Sequence, residues 1–525
     1  MTRWRGPLLP IALISVALIG ATAVASTSVS ATARVENAAL ADLGARLDEI
    51  LKDPRLTDSQ VAVTVRDEVS GETLYGRNAG LRMIPASNNK ALTSAAAMDV
   101  LGADFRFATN VSADGTQQGN VLRGNLYLKG TGDPTILAKD YDDLAAKVAA
   151  SGVTKVTGNL VADDTAFDSV RLGTEWGWDD QPYYYMPQIS ALTVASDTDY
   201  NPGTVIVEVR PGAAGQPAQL KVIPDTRYVK LVNRVTTGTA TDISVVREHG
   251  TNNIVVSGSI ATGATFQDYS TVWEPTGLAA AVFRDALKRH GVRVEGRTTI
   301  RPTPAGTRPI ADRQSMPLSQ LLIPFLKLSN NGHSEALTKA MGRRVFGQGT
   351  WDAGIRATAQ SLTRLGLDVG AIYRVDGSGL SRQDLVSPNQ ITNLFRGAAA
   401  QPWFTTWYDA LPIAGVPDRL VGGTLRNRMR NTPAANNVRG KTGSLTGVSI
   451  LSGYVTDADG DRLVFSIMLN NQLSFVKDIE DAIAITLASY SENGTALAKV
   501  SLPRKPPSNL DPRLATHECT WIRAC

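Results

Sequence analysis

The chain changes texture twice, near Asp104 and near Pro317, and these changes restrict its architecture more than any other feature. Outside them apolar residues recur at helix and hairpin periods; between them short strand patterns are punctuated by Gly, Asn and Asp, as in GNLYLKGTGDPT and GTVIVEVRPG. In the first flank the run from Val61 to Asn78 alternates apolar and polar residues about Ser70-Gly71 and predicts a β-hairpin. A helix follows, in which Pro85 precedes Ala86-Ser87-Asn88-Asn89-Lys90 and the helix formers Ala91 to Leu101, with Gly102 as its stop. In the second flank helical periods run from Leu318 to Gly347, broken at Ser329-Asn330-Asn331-Gly332, and again from Trp351 to Gly366. Val448 to Asn471 alternates and turns at Asp459-Gly460, the dipeptide of a hairpin, and Ser474 to Tyr490 predicts an amphipathic last helix. The economical solution is an α/β (α+β sandwich) fold: one sheet flanked by helices, its parts drawn from both ends of the chain, with the middle inserted. That middle reads as mostly β, wholly so over about 201–267, with a helix from Thr276 to Gly291.

At 525 residues the chain is long enough for about three or four domains. Fifty-three basic against 49 acidic side chains leave +4, too weak a field over this length to predict nucleic-acid binding, although it suits an anionic polymer. Arg3 and Arg5, the apolar run from Leu8 to Ile19 and the small residues ending Ala23-Val24-Ala25 predict a signal peptide over 1–25 and a secreted, extracytoplasmic location. An uncleaved anchor is the alternative, because Leu8 to Val24 approaches spanning length, but Gly20, Thr22 and the small-residue pattern favour cleavage, so no stable transmembrane anchor is expected. Cys519 and Cys525, in a tail over 504–525, are expected to bridge as an incidental staple. With no CxxC pair or HExxH helix, and with His249, His290, His333 and His517 scattered, neither zinc chemistry nor a thiol nucleophile is predicted, and no cofactor.

Three short segments carry the chemistry. Ser87 and Lys90 lie three apart at a helix start, on one face, where a lysine amine can take the proton that a serine hydroxyl must lose to attack. The helix N-terminus adds N–H donors for an oxyanion. Ser474 and Lys477 repeat the spacing, and there a helix cap beside a solvated lysine is the expected reading. Ser329-Asn330-Asn331 interrupts the long helical pattern: Ser329 can relay a proton and Asn331 can hold a substrate amide, while a capping serine before an Asn-Gly turn explains the residues equally well. Ser-x-Asn also recurs at Ser387 and Ser491. Lys441-Thr442-Gly443 opens a strand pattern. There an extended peptide can pair with a strand edge, Gly443 lets it approach, and Lys441 with Thr442 can receive a terminal carboxylate; a solvated turn is the alternative.

In this order, the three segments form the motif set of penicillin-binding proteins and class A β-lactamases. The chain resembles the D-alanyl-D-alanine carboxypeptidase/endopeptidases of the low-molecular-mass, class C penicillin-binding proteins, in LKGTGDPT (Leu128–Thr135), Trp176–Tyr183, Gln188–Val194 and Asp376–Arg382 as well as in the triplets. The long gap between Ser87 and Ser329 fits that family rather than a compact β-lactamase. The resemblance implies a discontinuous transpeptidase-like domain (35–104 and 317–500) with a mixed, mainly antiparallel sheet, an inserted domain (105–200 and 268–316) and a nested β domain (201–267). It implies hydrolysis of D-Ala-D-Ala bonds in peptidoglycan stem peptides, with the D-Ala–diaminopimelate cross-link as a further bond, and β-lactams as covalent inhibitors of a cell-wall enzyme. Position by position, it makes Ser87 the nucleophile, Lys90 its base, Ser329 the relay to the leaving D-alanine and Asn331 the holder of the acyl-side amide. Lys441 and Thr442, with Ser444, would fix the terminal carboxylate, and the N–H groups of Ser87 and Ser444 would form the oxyanion hole. Arg382 and Asp180 would meet the carboxylate and ammonium of a diaminopimelate-type side chain, with Trp176 and Leu445 as walls. A β-lactamase-like hydrolase and a silent module that binds cell-wall peptide remain as alternatives.

Overall fold

The computed structural model describes residues 38–492, so the expected signal peptide over 1–25 and the tail with Cys519 and Cys525 lie outside the described residues. Its principal sheet has the strand order Arg439–Leu445, Val448–Thr456, Arg462–Asn470, Gln60–Asp67, Thr73–Arg77. The two flanks of the sequence therefore meet in one sheet, with Gln60 opposite Asn470 and Asp67 opposite Leu463. Both expected hairpins are present.

Strand alternation sorts the side chains onto two covered faces. Val61, Val63, Val65, Leu451, Phe465 and Ile467 pack with Leu43 and Leu47 of helix 38–50 and with Ile479 and Ile483 of Lys477–Ala488. Ala62, Ile450, Tyr454 and Met468 turn the other way, onto residues of Asn89–Leu101, Leu318–Lys327 and Pro388–Ala399. Helices on both faces explain why Val448–Thr456 is buried along nearly its whole length although its sequence alternates. Asn89–Leu101 is buried from Asn89 to Met98 and so runs through the interior; its alanines let neighbouring elements come close. It stops at Gly102, whose φ of 86° is the left-handed conformation that glycine adopts without strain.

The inserted segment builds sheets of its own. One has the order Thr298–Ile300, Leu160–Asp163, Leu126–Gly130, Ala108–Ala113, Arg308–Gln314. The helix expected at Thr276–Gly291 is Pro275–Arg289, and it packs on a second helix, Ala138–Ala150, with the Tyr141 and Phe283 rings 6.2 Å apart. The sequence reading lacks that second helix, although Tyr141, Leu144, Ala145 and Val148 recur at helical spacing and are buried. Residues 201–267 lie in strands and loops that form two three-stranded sheets. Parallel pairs among the described residues fall within the inserted segment, for example Lys230–Gly238 beside Asn253–Ala261. The mixed character expected of the main sheet thus belongs to the insertions, and the main sheet is antiparallel throughout. No helix among the described residues is long and apolar enough to cross a membrane.

Candidate active site

Pro85 leads into a 3-10 turn, Ala86–Asn88, that runs directly into helix Asn89–Leu101. Ala86 has φ 45°, a left-handed position that is strained for any residue with a side chain. The turn places Ser87, 2% exposed, one helical turn from the buried Lys90, whose Nζ donates to Ser87 Oγ at 2.5 Å.

Ser329 also carries a positive φ, 58°, between helices Leu318–Lys327 and Asn331–Phe346. It is not the helix cap: Asn330 is, its Oδ1 accepting from the His333 N–H at 3.2 Å. Ser329 Oγ instead accepts from Lys441 Nζ at 2.9 Å, and the same amine donates to the Thr442 carbonyl at 2.8 Å. Asn331 Nδ2 donates to the Tyr185 carbonyl at 2.6 Å, while its buried Oδ1 has no hydrogen-bond partner among the described residues.

Lys441-Thr442-Gly443 lies in the edge strand Arg439–Leu445, not in a solvated turn. Asn88 Nδ2 donates to the Lys441 carbonyl at 2.8 Å and ties the serine turn to the strand. A Cβ on Gly443 would lie 2.7 Å from the Pro85 carbonyl oxygen and 3.2 Å from the Asn88 nitrogen. The space where a Cβ would sit is taken by the serine turn. Thr442 Oγ1 donates to Thr424 Oγ1 at 2.9 Å, and Ser444 and Leu445 are half-buried at the strand end, Leu445 against the core.

Of the residues expected to form a side-chain pocket, Arg382 reaches this edge and Asp180 lies within range of its charge. Arg382 is exposed and its Nη2 donates to the Thr446 carbonyl at 2.7 Å. Asp180 accepts from the Tyr185 hydroxyl at 2.7 Å; burial raises its carboxyl pKa, with the tyrosine hydroxyl and the charge of Arg382 opposing the rise. Trp176 is half-buried and fixed in place, donating through Nε1 to Asp376 Oδ2 at 2.9 Å and standing edge-on to Trp351 at 5.9 Å.

Beneath the site lies a buried polar network that the sequence reading missed. Asp376 accepts from the N–H groups of Gly379 at 2.7 Å and Ser381 at 2.8 Å, which folds the loop that carries Arg382. Asn89, next to Lys90, donates to Asp384 at 2.9 Å and accepts from Arg374 Nε at 2.6 Å, joining the helix that carries Lys90 to that loop. The Glu335 carboxylate accepts from Gly377 N at 2.9 Å, Ser378 N at 2.7 Å and Trp351 Nε1 at 2.7 Å, and burial, helped by nearby Asp376, pushes its pKa up to about 7. The only signal in the sequence was the string Asp376–Arg382, because these partners come from segments far apart in the chain. Among the described residues no group of three or more His, Cys, Asp or Glu side chains is placed to hold a metal ion.

A serine–lysine pair on a buried turn, a second serine–lysine pair and an edge strand bound to that turn define a serine peptidase of the penicillin-binding class. The D-Ala-D-Ala carboxypeptidase 3 (S13) family matches residues 43–490, and the chain belongs to it. It is 42% identical over 529 residues to a D-alanyl-D-alanine carboxypeptidase of Actinomadura sp. (strain R39), a match that spans 99% of this chain and 95% of that one. It is 26% identical over 447 residues to the D-alanyl-D-alanine carboxypeptidase DacB of Haemophilus influenzae, over 83% and 88% of the two chains. The crystal structure of penicillin binding protein 4 (dacB) from Haemophilus influenzae matches with a TM-score of 0.74 at 25% identity, covering 84% of this chain and 98% of that one. The same protein complexed with a β-lactam matches with a TM-score of 0.67 at 25% identity, over 82% and 94%.

Proposed function

We propose that this chain hydrolyses the D-Ala-D-Ala bond of peptidoglycan stem peptides through an acyl-enzyme on Ser87, and that penicillins acylate the same serine. The observation that carries the reading is the 2.5 Å contact between Lys90 Nζ and Ser87 Oγ in a buried turn bound to the Lys441 strand. In the productive form the amine is neutral and takes the Ser87 proton along that line. Ser87 Oγ then bonds to the carbonyl carbon of the penultimate D-alanine, and the N–H groups of Ser87 and Ser444 receive the oxygen as it becomes negative. The C–N bond breaks and the proton passes from Lys90 through Ser329 to the leaving amine. Water, deprotonated by Lys90, cleaves the ester and regenerates the serine.

The remaining residues position the peptide. Asn331 holds the acyl-side amide, a role supported by its Oδ1, which has no partner among the described residues and can accept an amide N–H. Lys441 and Thr442, with Ser444, bind the terminal carboxylate; Arg382 and Asp180 take the charged ends of a diaminopimelate-type side chain, with Trp176 and Leu445 as walls. The D-Ala–diaminopimelate cross-link offers the same chemistry to the same groups. The enzyme acts outside the cytoplasm at the cell wall, and its catalytic domain is the discontinuous unit 35–104 and 317–500, carrying the insertions 105–200 with 268–316 and 201–267.

Intact mass spectrometry with and without benzylpenicillin, on wild type and Ser87→Ala, tests the reading. A penicilloyl mass on the wild type that maps to Ser87 and vanishes in the variant is expected. No adduct at any time, with penicillin neither bound nor consumed, would refute it.

A further inference from the structure

The loop that carries Trp176 and Asp180 has a second side. While Asp180 meets Tyr185, the neighbouring Trp178, Asp179 and Gln181 line a cavity of about 320 Å³ whose opposite wall is Arg247, Glu248 and His249 at the tip of the hairpin Asp242–Arg247 and Asn253–Ala261. That volume lies in the range of small-ligand pockets. The mechanism above uses none of these six side chains.

Three observations indicate the chemistry of a ligand. First, Trp178 is 71% exposed, a large apolar ring left in water at the mouth of the cavity. It is held in place, because His249 stands edge-on to it at 6.2 Å, and His249 in turn meets Trp273 at 5.7 Å. Second, Gln181 is only 8% exposed and its buried side-chain oxygen has no hydrogen-bond partner among the described residues, which leaves an acceptor beside the cavity for a ligand's donor. Third, the cavity offers acceptors: Asp179 and Glu248 line it, while Arg247, only 2% exposed, lies over Trp273 at 5.7 Å and has its guanidinium engaged with the carbonyls of Gln181 and Thr251 at 3.1 and 3.0 Å. A flat apolar ring with a rim of acceptors suits a ligand that has one apolar face and many hydroxyl or amide donors. That description fits a sugar ring, whose C–H face packs on an indole while its hydroxyl and acetamido groups meet the rim.

We propose that this cavity is a saccharide subsite that holds the glycan strand from which the stem peptide hangs. The inference rests on the peptidoglycan-peptidase reading, and the position agrees with it. In a stem peptide the diaminopimelate-type residue lies between the scissile bond and the sugar. With the side chain of that residue at Asp180, the sugar end of the substrate lies beyond it from the scissile bond, and Trp178 and Asp179, which line the cavity, are the chain neighbours of Asp180. The nested β segment would then supply the far wall of the glycan site.

The test uses the full chain and two readouts. In co-sedimentation with glycan strands stripped of their peptides, the Ser87→Ala protein is retained, and retention falls about five- to tenfold when Trp178→Ala or His249→Ala is added. In turnover, each of these substitutions in the wild-type background raises KM by the same factor for a pentapeptide linked to its disaccharide and leaves the free pentapeptide unchanged. A wild-type protein that ignores peptide-free glycan, or variants equally impaired on free and linked peptide, would overturn the proposal, the latter by assigning the cavity to the peptide. The two readings fail separately: if no stem peptide is turned over, the peptidase reading falls, whereas glycan retention that depends on Trp178 and His249 still decides the subsite.

Discussion

The chain contains two Ser-x-x-Lys segments with the same spacing and opposite fates. Ser87 and Lys90 are buried and in contact at 2.5 Å, on a turn with a left-handed residue at its start and an edge strand across it. Ser474 is exposed, and it does not even cap the helix that follows, whose N-cap is Val476. Spacing brings two side chains to one face, but burial, backbone strain and a neighbouring strand turn the pair into a reactive group.

The sharpest break between the two pairs is expected from Ser87→Ala, which should lower turnover of a D-Ala-D-Ala peptide by at least about four orders of magnitude. Stability should change by at most about 1 kcal/mol, since only a helix-start hydroxyl is lost; D-alanine release and thermal melting check both. Next comes the strand that distinguishes the first pair. Lys441→Ala should cost about 2–4 kcal/mol in kcat/KM on carboxylate-terminated substrates, and less on amidated ones. An equal loss on both would remove carboxylate recognition from its role.

His333 probes the ground beneath the Ser329 loop. Burial lowers its pKa from 6.5 to about 4, so between those values the unfolded chain binds the extra proton. Stability is therefore complete above about pH 6.5 and is lost as the pH falls towards 4, by up to about 3 kcal/mol. His333→Gln should flatten that slope in denaturant titrations at pH 4.5 and 7. Gly443→Ala tests the contact between turn and strand. Its Cβ would press on the Pro85 carbonyl, with an expected loss of about 1–3 kcal/mol in stability and a slower acylation by penicillin. Normal acylation would show that the turn can shift without harm. The smallest effect belongs to the second pair: Ser474→Ala should leave activity unchanged and stability within about 0.5 kcal/mol.

Legibility in the sequence followed the range of the interactions. The hairpins at Ser70-Gly71 and Asp459-Gly460 and the break at Ser329 were readable because turn chemistry and periodicity are local. The helix Ala138–Ala150 was equally local and was overlooked among stronger strand signals. Residues with a motif, from Ser87 to Lys441, could be named, but not their partners. Nothing near Asn331 points to the Tyr185 carbonyl, and nothing in a buried Glu335 announces that its partners are two N–H groups of a distant loop and the indole of Trp351. Gly443 shows the same limit. The need for a missing side chain was visible, but only the packed structure shows that the serine turn occupies the gap.

The strand Gln60–Asp67 lies between Thr73–Arg77, made moments later, and Arg462–Asn470, made about 400 residues later. Ser87 and Lys90 therefore emerge well before the strand that carries Lys441 and the hairpin that joins it to the sheet, which follow about 350 residues later. Sheets closed by such distant segments form slowly and late. The order of synthesis thus acts as a timer: a growing or truncated chain can display the nucleophile without the means to use it, and hydrolytic competence is withheld until the last strands have joined the first.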